Sequence, residues 1–302
     1  PAADAGVAGR DVVATLAGPP PGTPEPGDAA GGLVAQWLDD GFYVSIDRTM
    51  SSAGERFYRT IRGLYVPATF VGDVEIPAYR GLAIGPEASL PIGFVPRGRP
   101  AAYRRATGRG LSQAGHVPRQ AHRFLRERAV VGGAEYWITS DDLYVRAHNF
   151  SVVDARRPPE DPGADGKWIL IDLSDQVLVA YEWDRPVYAA LVSTGKPNYE
   201  TPPGRFRIAG KHVSATMDGI TELDGAYSIE DVPWAMFYNS NFAIHGAFWH
   251  NRFGMTRSKG CVNMSPQDAR WIFEWSGPRV PDGWHGVLAG NLQPGTLVVI
   301  EE

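Results

Sequence analysis

The stretch IHGAFWHNRFGMTRSKGCVNMSP, residues 244–266, contains the only cysteine of the sequence, Cys261. Gly260 precedes the cysteine, and Ser265 is a suitable cap for a helix that begins only a few residues later. A thiol in a tight glycine turn can be exposed, and neighbouring backbone N–H groups can point at one spot. His245 lies sixteen residues before Cys261 on an apolar strand. Two neighbouring strands would therefore bring this base to the thiol.

The residue types around the cysteine decide between a buried apolar thiol and a nucleophile. Arg257 and Lys259 are nearby cations, and positive charge favours the thiolate. A cysteine nucleophile also needs a base, for which we favour His245 over His250 because His245 directly precedes Gly246. A single cysteine forms neither an internal disulfide nor a zinc cluster, and the two histidines lack a third ligand at a familiar spacing. We expect no metal and no cofactor.

From residue 167 onward the chain is typical of a strand-rich domain. The helix signal after the cysteine is the strongest in the sequence, with Pro266 at the first helical position, Asp268 in the first turn and apolar residues following. The predicted strands lie at 167–182 (two strands around the turn 174–176), 186–195, 201–212, 242–248 and 294–302.

Upstream of the linker 160–166, residues 33–159 predict a smaller, mostly β module. Residues 119–130 are the exception, since Ala121, Phe124 and Leu125 would share one side of a helix. No internal repeat is evident, and His116, His122 and His148 are interpreted as surface or packing residues. Residues 1–32, rich in Ala, Gly and Pro, predict a flexible tether. The predicted strands of the module lie at 41–46, 63–68, 90–95, 135–139 and 143–147.

The charge and hydropathy of the chain limit its partners. The net charge of −5 argues against general nucleic-acid binding, which needs a basic face. No run of 18 apolar residues predicts a membrane span, and no leader peptide is visible. Residues 97–128 differ from the average, with nine arginines and one acidic residue, Glu127. They are either a solvated face or a contact surface for an anionic polymer.

With these residues in view, the segment 167–302 resembles the L,D-transpeptidase catalytic domain, also called the YkuD domain, of bacterial cell-wall enzymes. The family pattern is a His-Gly pair, a spacer, then Ser/Thr-His-Gly-Cys, an apolar residue, and Asn or Arg. The chain has His245-Gly246 and then SKGCVN, residues 258–263. The stretches IDLSDQVLVAYE and VSTGKPNYETPPGRFRI are also similar to the family. Lys259 departs from the pattern, because the family usually has His there.

The resemblance implies a mainly β fold, in which the smaller β module is followed along the chain by a β-sandwich catalytic domain with few helices. It implies a thioester on Cys261, His245 as base held by the carbonyl of Gly246, and an oxyanion site at the N–H groups of Gly260 and Cys261. The expected substrates are peptidoglycan stem peptides, the inhibitors carbapenem-type β-lactams, and the location the periplasm or cell envelope. The substrate-binding candidates are Lys259, Ser258, Arg257, Tyr238, Trp249 and Asn263.

Three alternatives remain at this point. With water as acceptor, the same thioester would make the protein an L,D-carboxypeptidase. With Lys259 as a sign of decay, the chain would be an inactive cell-wall-binding protein. A papain-like protease would need a histidine downstream of the cysteine, and His285 is the only candidate.

Overall fold

The structure, a computed structural model, describes residues 13–16, 38, 42–86, 88, 90–108, 110–221 and 225–302. This part of the chain is mainly β, as expected from the sequence. It forms two compact units, one of Pro1–Ile76 with Ala215–Val232 and the other of Pro77–Ser214 with Pro233–Glu302. No helix in the described ranges has the length and apolarity needed to cross a membrane.

The first unit contains five N-terminal strands around a small core of Phe42, Val44 and Val66. The first strand pairs antiparallel with the second and the fifth. It lies inside the predicted tether 1–32, whose other residues are outside the described ranges. The strands are β1 (Val13–Leu16), β2 (Tyr43–Ser52), β3 (Glu55–Thr60), β4 (Tyr65–Pro67) and β5 (Val71–Asp73).

The N-terminal part of the second unit contains eight strands. They are β6 (Leu82–Ala83), β7 (Ile92–Phe94), β8 (Ala101–Arg105), β9 (Leu111–His116), β10 (His122–Val131), β11 (Ala134–Thr139), β12 (Tyr144–Arg146) and β13 (Ser151–Val153). Seven of them form one sheet in the order β13-β7-β10-β11-β12-β8-β9. The helix predicted at 119–130 was wrong, because this segment is β10. A bulge between Leu125 and Glu127 breaks the alternation that would have indicated a strand.

Residues 154–302 contain the predicted strands and the only α-helix of the described chain, and their segment Ala215–Val232 belongs to the first unit. A hairpin of β14 and β15 encloses the expected turn, and a six-stranded sheet has the order β17-β23-β14-β15-β16-β6. Ser265 caps the helix by accepting the Asp268 N–H, which confirms the predicted helix start. The elements are β14 (Lys167–Asp172), β15 (Val177–Glu182), β16 (Arg185–Leu191), β17 (Gly204–Arg207), β18 (Gly210–Thr221), β19 (Gly225–Asn239), β20 (Phe242–Gly246), β21 (Val262–Met264), α1 (Pro266–Trp275), β22 (Gly286–Leu288) and β23 (Leu297–Glu301).

Residues 13–73 and 92–153 are two copies of one β module, which corrects the expectation that the chain has no repeat. Strands β2 and β10 are both ten residues long and start at Tyr43 and His122. The offset of 79 residues between these starts also relates β1 to β7, β3 to β11 and β4 to β12. The bulge recurs at this spacing too, between Ile46 and Arg48 in one copy and between Leu125 and Glu127 in the other.

The turns of the two copies agree in the same register. Gly54 and Gly133 have φ of +84° and +78°, and Gly63 and Asp142 have φ of +80° and +62°. Only six positions of the aligned segments 42–73 and 121–152 are identical, which is why the sequence pattern did not reveal the repeat. They are Gly54/Gly133, Thr60/Thr139, Leu64/Leu143, Tyr65/Tyr144, Val66/Val145 and Ala68/Ala147. We call residues 13–73 the first copy and 92–153 the second copy.

The second copy packs against the six-stranded sheet within the same compact unit. Ile92, Phe94 and Val153 share a buried cluster with residues of β14–β16 such as Trp168 and Leu191. The other face of the sheet packs against β19–β21 and α1. Burial on both faces explains the continuous apolar run of β14. Because the second copy packs against this sheet, both lie in one compact unit. The compact units therefore differ from the boundaries 33–159, 160–166 and 167–302 expected from the sequence.

Candidate active site

The strands β20 and β21 bring the two candidate catalytic residues to one sheet edge. They pair in parallel, with Ile244 opposite Val262 and His245 opposite Asn263. Cys261 directly precedes β21 and lies two residues before Asn263, the residue opposite His245. The expectation that neighbouring strands carry the histidine and the cysteine is confirmed in this register.

The imidazole of His245 is buried and oriented by its own strand. Its Nδ1 lies 3.2 Å from the carbonyl oxygen of Gly246, so Nδ1 carries the proton and donates it, as the resemblance implied. The unprotonated Nε2 is then the basic nitrogen. Burial lowers the pKa of His245 to about 4, although the Gly246 carbonyl opposes this shift. Trp249 stacks on the ring at 5.7 Å between centroids and shields it from water.

The thiol of Cys261 is partly exposed and donates a hydrogen bond to the carbonyl oxygen of Asn241 at 3.7 Å. Loss of water around the sulfur raises the pKa of the thiol, and the Ala243 N–H only partly offsets this. The nearby cations therefore do not produce the lowered thiol pKa expected from the sequence. Among the described residues no hydrogen bond joins Cys261 Sγ to His245, so the resting pair is a neutral thiol and a neutral imidazole.

Ser258 fixes the turn that presents the thiol. Its Oγ accepts the Gly260 N–H at 3.1 Å and donates to the Cys261 carbonyl at 2.5 Å. The Gly260 N–H is therefore already used, which differs from its expected role as an oxyanion donor. The Cys261 N–H has no hydrogen-bond partner within the described ranges. Gly260 has φ of +107°, and a Cβ there would lie 2.3 Å from the Phe242 ring.

Thr201 supports the same turn from behind, a role that the sequence analysis missed. Its buried Oγ1 donates to the Gly260 carbonyl at 2.8 Å and accepts the Gly195 N–H at 2.9 Å. A Cβ on Gly195 would lie 1.9 Å from the Tyr199 carbonyl oxygen, so only glycine fits. Both residues belong to the VSTGKPNYETPPGRFRI stretch. The similarity of this stretch to the family pointed to the segment but gave no role for Thr201 or Gly195.

His250 is a buried structural residue in this arrangement. Its Nδ1 accepts the Arg252 N–H at 3.1 Å, so Nε2 carries the proton. The Asn263 amide lies 2.9 Å from Nε2 and must present its oxygen to that N–H. Burial, followed by the charge of Arg257, lowers the pKa of His250 to about 3. Both ring nitrogens are engaged, which favours His245 as the base.

The expected substrate-binding residues have different surroundings. Asn263 is buried against His250, whereas Arg257 is exposed and Lys259 and Trp249 are half-buried. Tyr238 lies at the bulge between β19 and β20, and its buried hydroxyl has no hydrogen-bond partner among the described residues. Burial raises the pKa of Tyr238, and the nearby Cys261 raises it further.

The remaining candidate base, His285, is held by another strand. Its Nε2 lies 2.9 Å from the Ser214 carbonyl at the β18–β22 pair. Its imidazole is hydrogen-bonded to the backbone there, so the arrangement gives no support to a papain-like His285.

The second copy braces the loop between His245 and Cys261. The Gln120 side chain donates to Asn251 Oδ1 at 2.7 Å, and Arg119 donates to the Asn251 carbonyl. A Cβ on Gly254 would lie 2.5 Å from Pro96 Cβ, so the two backbones approach closely. The second copy thereby holds the loop that joins the His245 strand to Cys261.

Comparison with known proteins is consistent with this site. The family model of the L,D-transpeptidase catalytic domain, YkuD, matches residues 166–300. L,D-transpeptidase 1 of Mycobacterium tuberculosis is 34% identical over 94 residues, which cover 27% of this chain and 36% of that protein. The chain thus spans about a third of the length of the curated relatives it matches.

Two solved structures show weaker similarity. The catalytic domain of the E. faecium L,D-transpeptidase acylated by ertapenem is 23% identical, with a TM-score of 0.36, and covers 46% of this chain and 99% of that one. L,D-transpeptidase 3 of Mycobacterium tuberculosis is 16% identical, with a TM-score of 0.37, and covers 64% of this chain and 73% of that one. Residues 166–300 of this chain are thus similar to the L,D-transpeptidase catalytic domain family, whose model they match.

Proposed function

We propose that this chain is a cysteine acyltransferase that forms or exchanges L,D cross-links between peptidoglycan stem peptides through a thioester on Cys261. The orientation of His245 carries the proposal. Its Nδ1–H is bonded to the Gly246 carbonyl, so Nε2 is the basic nitrogen, and β20 pairs with the strand that Cys261 precedes. The family match of residues 166–300 supports the same chemistry.

In the first half-reaction the Cys261 thiol turns from the Asn241 carbonyl and gives its proton to His245 Nε2. The sulfur attacks the carbonyl carbon before the terminal D-amino acid of the donor stem. The Cys261 N–H is available to stabilise the oxyanion. The C–N bond then breaks, the leaving amine takes the proton from His245, and an acyl thioester remains.

In the second half-reaction an amine of another stem attacks the thioester. His245 takes the proton of this amine and returns it to the departing sulfur, so that the thiol is restored and a cross-link is formed. If water attacks instead, the product is a shortened stem and the enzyme is an L,D-carboxypeptidase. Lys259, half-buried beside Gly260, is a point charge suited to a substrate carboxylate.

The location and the inhibitors follow from the substrate. Peptidoglycan lies outside the cytoplasm, so we propose that the protein works in the periplasm or cell envelope. A carbapenem presents a strained carbonyl to the same thiol, and we propose that it acylates Cys261.

Intact-mass spectrometry after mixing the protein with a muropeptide tetrapeptide and, separately, with a carbapenem tests the proposal. We expect an adduct on Cys261 and a cross-linked or exchanged product. Cys261→Ala should abolish both, and His245→Ala should lower turnover by about 10² to 10⁴-fold. His285→Ala, which removes the rival histidine, should retain activity.

The products separate the alternatives. Full activity of Cys261→Ala or His245→Ala would overturn the assignment. An adduct with only a shortened peptide would identify a carboxypeptidase. No adduct and no product would favour an inactive wall-binding protein, and Lys259→His would then be the first variant to restore the family residue.

A further inference from the structure

The two copies of the β module carry opposite charge. The second copy contains ten arginines, no lysine and four acidic residues, whereas the first copy contains four basic and seven acidic residues. At the 79-residue offset, none of the ten arginines has a basic counterpart in the first copy. Four of the counterparts lie within the described residues: Val44, Asp47, Thr49 and Pro67 stand where the second copy has Arg123, Arg126, Arg128 and Arg146. The strands that the two copies share therefore do not depend on these four arginines.

Eight of the ten arginines of the second copy fall into two groups. Arg123, Arg126 and Arg128 face acidic side chains at 3.8, 2.5 and 3.8 Å. Arg105 and Arg146 are exposed and have no acidic partner among the described residues. Three further exposed arginines also have no ion pair there, and these are Arg97, Arg99 and Arg104.

Arg105 and Arg146 are held over tyrosine rings on one face of the sheet. The Arg105 guanidinium lies 5.6 Å from the centroid of Tyr144, and that of Arg146 lies 5.1 Å from the centroid of Tyr136. Arg146 is directly opposite Tyr136, and Tyr144 is opposite Tyr103, the residue two before Arg105. The two supporting rings are 6.4 Å apart. We call Arg105 and Arg146 the arginine clamp.

A guanidinium held on an aromatic face has lost part of its conformational freedom before any ligand binds. Arg105 and Arg146 are exposed, so their N–H groups are accessible, and a guanidinium fits the oxygens of a phosphate in a bidentate way. The burial of the two tyrosine rings also argues against a nucleic acid as the bound polymer. Tyr136 and Tyr144 are only 7% exposed, so neither offers a free face on which a nucleic-acid base could stack.

We propose that the second copy binds a flexible, non-aromatic phosphodiester polymer through the arginine clamp. Arg97, Arg99 and Arg104 add positive potential around it, in a chain whose net charge is −5. The proposal does not depend on the chemistry of Cys261.

Fluorescence anisotropy with a labelled poly(glycerol phosphate) oligomer tests the clamp on the full chain. We expect binding that weakens steeply with salt. Arg105→Gln with Arg146→Gln should weaken it about tenfold or more, because both bidentate contacts are lost. Arg123→Gln with Arg126→Gln removes the same charge from two ion-paired positions and should weaken binding less than about threefold.

Two further arms make the outcome decisive. Arg105→Lys with Arg146→Lys keeps the charge but loses the planar fork, and should behave like the glutamine pair. Single-stranded DNA of equal charge should bind more weakly than the oligomer. Equal losses in the clamp and control pairs, full binding by the lysine pair, tighter binding of DNA, or no binding at low salt would each overturn the proposal. An unchanged rate of iodoacetamide labelling at Cys261 checks that every variant is folded.

Discussion

Cys261 and His245 do not form a thiolate–imidazolium pair, because burial favours the neutral form of each side chain. Burial raises the pKa of the thiol and lowers that of the imidazole to about 4. Above pH 5 the imidazole is neutral, and below its raised pKa the thiol is neutral. Free thiolate is therefore scarce at pH 7, and in the proposed reaction proton transfer must accompany attack on the substrate.

This neutral pair predicts the pH dependence of thiol alkylation. Cys261 is the only cysteine, so iodoacetamide reports on it alone. Because a raised pKa leaves less thiolate at each pH, the rate should rise about tenfold per pH unit from pH 6 to pH 8.5, without a plateau. His245→Ala should give a similar slope, since His245 is neutral throughout this range. A plateau below pH 7 would instead show a thiolate–imidazolium pair.

At the scale of elements, a buried lysine ties β18 to the end of α1. Lys211 is 1% exposed, and its Nζ donates to the carbonyls of Phe273 and Ser276. These are carbonyls at the helix C-terminus, where positive charge is favourable. Burial, followed by repulsion from Lys167, nevertheless lowers the pKa of Lys211 to about 7.

The lowered pKa predicts that stability rises with pH. Between pH 7 and the unfolded pKa of 10.5, the unfolded chain holds the proton of Lys211 and the folded chain does not. The free energy of unfolding should therefore increase by about 3 kcal/mol from pH 7 to pH 9.5 relative to Lys211→Met. Urea unfolding of both proteins at several pH values measures this difference. Parallel pH profiles would show that Lys211 does not titrate in this range.

At the scale of the molecule, the sequence predicted the helix and the strands that are specified by residues close together in the chain. Ser265 and the residues after it specify α1 within one turn, and the continuous apolar runs on either side of a polar turn specify β14 and β15. The repeat and β10 were missed because both depend on pairing between distant residues. The bulge beside Leu125 hides the strand period, and equivalent positions such as Gly63 and Asp142 share a backbone conformation rather than a residue type.

The candidate site divides in the same way. The sequence was enough to predict that neighbouring strands carry His245 and lead out of Cys261, and that the Gly246 carbonyl orients the imidazole. It did not predict that Ser258 occupies the Gly260 N–H or that Thr201 supports the turn, because these contacts depend on how separate segments come together. It also did not predict the raised thiol pKa, which depends on how completely the folded chain removes water from the sulfur.

The repeat supplies a matched pair of substitutions that tests the division into compact units. Thr60 and Thr139 are buried at equivalent positions, and their Oγ1 atoms accept the N–H groups of Leu64 and Leu143 at 3.2 and 3.0 Å. Thr→Val at either position removes this hydrogen bond and should cost about 0.5–1.5 kcal/mol. Thr139 belongs to the unit that contains Cys261, whereas Thr60 belongs to the other.

The two variants should therefore differ in their effect on the thiol. Thr139→Val should lower the temperature at which native Cys261 reactivity is lost, by several degrees. Thr60→Val should leave that temperature within about one degree. It should instead lower the midpoint temperature of a separate unfolding transition in calorimetry. Equal shifts in thiol reactivity for both variants would mean that the chain unfolds as one cooperative body. A shift for Thr139→Val alone would mean that the second copy stabilises the catalytic domain and that the first copy is a separate folding unit.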